Sequence, residues 1–83
     1  MDISISLSNS EKAEVYRHAL KTNERQLLSF VLSNGYDPDT FSVGSMPEEY
    51  AEESSPSHNF YKEIHRIIKS IDLIKSKISE LEK

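Results

Sequence analysis

The sequence predicts a mainly α fold: two helical regions joined by an acidic loop, the second helix coiled-coil-like, with a short N-terminal strand ahead of the first. Three observations carry this expectation. Apolar residues recur at alternating spacings of four and three from Phe60 to Leu81. A second apolar face at helical spacing runs between Ser8 and Asn34. The stretch between them, 37–59, holds six acids and no Lys or Arg. Together they divide a single small domain, 1–83, into a strand or flexible terminus (1–8), a helical region (9–34), an acidic linker (35–57) and an oligomerising helix (58–83).

At the N-terminus, Ile3, Ile5 and Leu7 alternate with Ser4, Ser6 and Ser8. That period of two reads as a short strand with one apolar face. So short a strand needs a partner, such as its own copy in a second subunit.

Ser8 and Ser10 are both N-cap residues, and Ser8 with Glu11 has capping-box spacing. Ala13, Tyr16, Leu20, Leu27 and Val31 then share one helical face. Asn34-Gly35 supplies a left-handed stop, and Asp37-Pro38-Asp39 prevents continuation. As one helix, this region brings Asn23 and Glu24 close to its apolar face. As two, it would break near Thr22-Asn23. A single helix is the expectation.

The linker combines Pro38, Pro47 and Pro56 with several serines, Gly44 and the acids Asp37, Asp39, Glu48, Glu49, Glu52 and Glu53. Low hydrophobicity and one-signed charge favour disorder. Pro47-Glu48-Glu49 can start a short helical turn, with Pro at its first position and acids at its positive end. Phe41, Val43, Met46 and Tyr50 are too sparse for a core of their own, and are expected to dock onto the helices or onto a partner.

Ser57 is placed to cap the last helix. Phe60, Ile64, Ile67, Ile71, Ile74, Ile78 and Leu81 form an unbroken seam of period 3.5. With Phe60 at position d, isoleucines fill both a and d, a pattern that moves parallel coils toward trimers or tetramers. Ile68 and Leu73 flank the seam and widen it. The alternative use of the stripe is packing on the chain's own first helix.

Length points the same way. A single core in 83 residues rarely supplies more than ~3–5 kcal/mol, so short chains add disulfides, a metal or self-association. There is no cysteine. The three histidines, His18, His58 and His65, read as solvent-exposed, with no converging carboxylates, so no metal and no cofactor is expected. No apolar run approaches a membrane span, and the first residues lack the pattern of a signal peptide. The expected compartment is the cytoplasm, or a host's cytoplasm for a viral or plasmid gene.

Nothing announces catalysis. The glycines, Gly35 and Gly44, build no phosphate loop, the serines lack a paired base, and Glu48, Glu49, Glu52 and Glu53 lie in a loop with no scaffold to raise a pKa. The chain is expected to be a non-catalytic protein-binding module: an adaptor, assembly factor or small inhibitor. Its partners would be further copies of itself and another protein, contacted through Phe41, Met46, Glu48, Glu49, Tyr50, Glu52 and Glu53. Tyr16, Arg17, Lys21 and Arg25 are the only clustered groups that would serve a small-ligand sequestering oligomer.

Residues 2–33 carry a further signal. The alternating Ile3–Ser8 segment, then Val15, Ala19 and Leu20, then Leu27-Leu28-Ser29-Phe30-Val31-Leu32, resembles the ribbon-helix-helix family of DNA-binding dimers. The resemblance implies a repressor or antitoxin reading the major groove through Asp2, Ser4 and Ser6. The chain departs from that family in having Asn23 in place of the turn glycine and in lacking a basic N-terminal arm. The near balance of charge outside the acidic linker also speaks against nucleic acid as the partner.

Overall fold

The computed structural model describes residues 3–82. The chain is mainly helical: α1 spans Asn9–Ser33, α2 spans His58–Leu81, and two 3-10 turns, Val43–Ser45 and Glu48–Ala51, lie in the loop between them. The helices pack as an antiparallel hairpin. Phe30 stacks on Phe60 at 5.4 Å between ring centroids at one end, and Arg17 pairs with Glu82 at the other.

α1 starts where the serine–glutamate spacing places it. The backbone N–H of Glu11 donates to Ser8 Oγ at 3.2 Å, and that of Ser8 donates to Glu11 Oε1 at 3.1 Å. These reciprocal bonds satisfy two backbone donors that a helix start leaves open. Ser8, through its backbone N–H first and its hydroxyl second, holds the Glu11 carboxyl below the usual glutamate range.

The helix continues through Thr22-Asn23 without a break. Asn23 lies half-buried within the apolar face and donates its Nδ2 to the Ala19 carbonyl at 2.8 Å. Bonded to its own helix, the amide needs no partner in the core. The end is a Schellman turn: Gly35 N–H donates to the Leu32 carbonyl and Tyr36 N–H to that of Val31. Gly35 sits at φ 85°, where a side chain is strained.

Three expectations need correction. Residues 3–8 form no strand, because there is no second strand among the described residues to pair with. Ile3 is 84% exposed, and Ile5 and Leu7 are exposed as well; Asp2 lies outside the described residues. Ser57 makes no side-chain cap, since the chain enters α2 through a tight turn at φ −96°, ψ 7° rather than in extended form. Leu73 does not widen the buried stripe: it is 60% exposed.

The core is thin. Among the described residues only Ala13, Val31, Phe60, Ile64, Ile67 and Ile71 are buried, and Ile64 and Ile67 alone are fully so. The seam therefore fades along α2, with Ile74, Ile78 and Leu81 only half-covered. The radius of gyration, 15.9 Å, exceeds the about 12 Å of a compact domain of this length.

Candidate functional site

The linker is where fold and candidate site meet. It is an ordered ledge laid over the loop end of the hairpin rather than a disordered spacer. Tyr36, Phe41, Val43, Met46 and Tyr50 pack against the core of Val31, Phe60 and Ile64. Phe60 is the hub: Tyr36 stacks on it at 5.1 Å and Phe41 meets it edge-on at 6.0 Å. Such aromatic pairs add about 0.5–1.5 kcal/mol each beyond area burial. Sparse apolar residues order this loop because each finds a neighbour on the helices.

Polar contacts pin the ledge at its acidic segment. The hydroxyls of Tyr36 and Tyr50 lie 3.1 Å apart, which, with a smaller contribution from burial, pushes the Tyr36 phenol up. His58, the first residue of α2, is half-buried rather than exposed. Its Nδ1 lies 3.0 Å from the Tyr50 carbonyl oxygen, and its ring stacks on Tyr61, whose ring also meets His65. His18 and His65 are exposed. Among the described residues no three His, Cys, Asp or Glu side chains come together.

The ledge sorts the contact candidates by chemistry. Glu48, Glu49, Glu52 and Glu53 point to solvent, as do Asp37 and Asp39. Among the described residues, none of these six carboxylates is paired with a basic side chain. Phe41, Met46 and Tyr50 are half-buried on the chain's own helices, so each keeps only part of its surface for a partner. The seam residues Phe60, Ile64, Ile67 and Ile71 are spent on α1, leaving the partly open Ile74, Ile78 and Leu81.

Beside the ledge runs an apolar groove of about 360 Å³, walled by Leu27, Leu28 and Val31 of α1, Phe41 and Val43 of the loop, and Ile68 of α2. Glu24 and Ser42 supply its polar edge. Leu28 and Leu32, on the outer side of α1, are about half-exposed. The sequence held one clue to this groove: Leu28 and Leu32 depart from the face that Ala13, Tyr16, Leu20 and Leu27 define. Nothing local indicated that the loop would supply the opposite wall.

The chain matches no family model, no curated protein and no solved structure. Among the other sequence candidates, Tyr16 is half-buried while Lys21 and Arg25 are exposed, and Arg17 is occupied with Glu82. No helix among the described residues is long and apolar enough to cross a membrane.

Proposed function

We propose that the chain is a non-catalytic, self-associating protein-binding module, cytoplasmic in its working compartment, that serves as an adaptor, assembly factor or small inhibitor. The observation that carries this reading is the ordered ledge: six carboxylates with no basic partner among the described residues, on the same packed loop as the half-buried Met46 and Tyr50. A surface of that kind complements a basic, partly apolar partner. Charge steers the encounter, and apolar contact holds the complex. Because the ledge is packed in place, binding does not carry the ordering cost of a disordered segment.

The test compares the wild-type chain with a variant carrying Gln at positions 48, 49, 52 and 53, both as bait in a cell extract at low and high salt. The expected result is a basic protein retained by the wild type at low salt, released by high salt and lost from the variant. If the two baits retain the same proteins, the ledge is not the contact surface. Duplex DNA binding that falls steeply with salt would instead favour the DNA-binding reading.

A further inference from the structure

Two apolar features stand uncovered at opposite ends of α1. One is the segment before the helix, where Ile3, Ile5 and Leu7 are exposed. The other is the groove with its outer lip at Leu28, and the exposed Leu32 one turn further on. They do not meet within one chain. Ser8 and Leu28 are separated by about 30 Å of helix at 1.5 Å per residue, whereas residues 3–7 fully extended span about 17 Å.

We infer that the groove receives the N-terminal arm of a second copy, so that two chains exchange arms in a closed, two-fold dimer. This rests on the self-association part of the proposed function and is independent of what the acidic ledge binds. An extended arm with apolar side chains at every second position presents one continuous apolar edge, and the groove offers apolar walls from three elements. In a two-fold pair each copy both gives and receives an arm, so the contact closes on itself and leaves neither feature open.

Charge along α1 agrees with this geometry. Glu14, Lys21, Arg25, Leu28 and Leu32 are all exposed, and their spacings of seven, four, three and four place them on one helical face. Laid antiparallel to a second α1, the register that sets Leu7 level with Leu28 of the other copy also sets Glu14 level with that copy's Lys21. By symmetry the pair forms twice. The face is thus acidic, basic and apolar in the order that an identical antiparallel helix complements.

Four experiments decide the matter. Sedimentation at roughly tens of micromolar is expected to give a dimer. Deleting residues 1–7, which keeps the Ser8 cap, or making Leu28→Asp, should weaken it about tenfold or more while helix content by circular dichroism holds. Glu14→Lys and Lys21→Glu should each weaken the dimer, and the double variant should restore it. Because the protein has no cysteine, Leu7→Cys and Leu28→Cys chains can be mixed and oxidised; the expected product is the mixed disulfide dimer.

A single-chain mass overturns both the exchange and the self-association. An oligomer undiminished by arm deletion, or a trimer, overturns the exchange alone. Leu7→Cys chains that link to one another and ignore Leu28→Cys would show arm pairing with arm, which also overturns it.

Discussion

The two ends of the hairpin are made from the same seam but are buried differently. At the loop end, Phe60 and Ile64 meet α1 on one side and the ledge of Tyr36, Phe41, Val43, Met46 and Tyr50 on the other. At the open end, Ile74, Ile78 and Leu81 meet α1 with no third layer and stay half-covered. Two helices touch along a line, so they leave the flanks of each apolar stripe in water unless another layer covers them. The acidic loop is that layer at one end.

The sharpest way to break this comparison is to truncate the same residue type at each end. Ile64→Ala removes a fully buried side chain and should cost about 2–5 kcal/mol, enough to unfold much of the population. Ile78→Ala should cost about 1 kcal/mol, since part of its side chain is already in water. Urea titrations of both variants measure the difference. Equal losses would mean that Ile78 is as deeply buried in solution as Ile64, as oligomerisation through the open end of the seam requires.

The ledge itself can be loosened without touching its contacts. Gly35→Ala leaves the new Cβ with nothing within 4 Å, so its whole effect is backbone strain at positive φ, about 1–2 kcal/mol. The loss should appear first as faster amide exchange in residues 36–51 and only then as a lower melting temperature. Uniform exchange across the chain would show that ledge and hairpin unfold as one unit.

The smallest effect is expected at the start of α1. Ser8→Ala removes the cap and should cost about 1 kcal/mol, fraying the first turn while the loop end is untouched. Glu11 reports on this directly. Its folded-state pKa is depressed by the bonds from Ser8, so its contribution to stability is present above the unfolded value and is lost as pH falls through the folded one. In Ser8→Ala the Glu11 midpoint, followed by NMR, should rise toward the usual glutamate range. An unmoved midpoint would show that the Ser8 hydroxyl does not contribute to the shift and that the backbone N–H carries it alone.

Much of the fold could be read from local chemistry. Ser8 with Glu11 set the start of α1, Asn34-Gly35 set its end, and the isoleucine period from Ile64 onward set α2, because caps, stops and periodicity depend on neighbours within a turn or two. The continuity of α1 past Asn23 was the expectation, but the bond from its amide to the Ala19 carbonyl, which makes the position tolerable, is seen only in the structure. The strand was not legible. Alternation at Ile3–Leu7 specifies a face, but a strand needs a second strand, and the described residues hold none.

The candidate site divides the same way. The six acids were named from a stretch without Lys or Arg, but that none meets a basic side chain among the described residues is seen only in the folded chain. Their fixed position depends on Tyr36, Phe41 and Phe60, which are remote in sequence and close only after the hairpin forms. The sequence by itself determined where helices begin, end and carry apolar faces, because those are short-range preferences of backbone and side chain. Only the tertiary structure decided that the linker would become a wall, that His58 would anchor it and that Leu28 would border a groove, because burial depends on which distant surfaces meet.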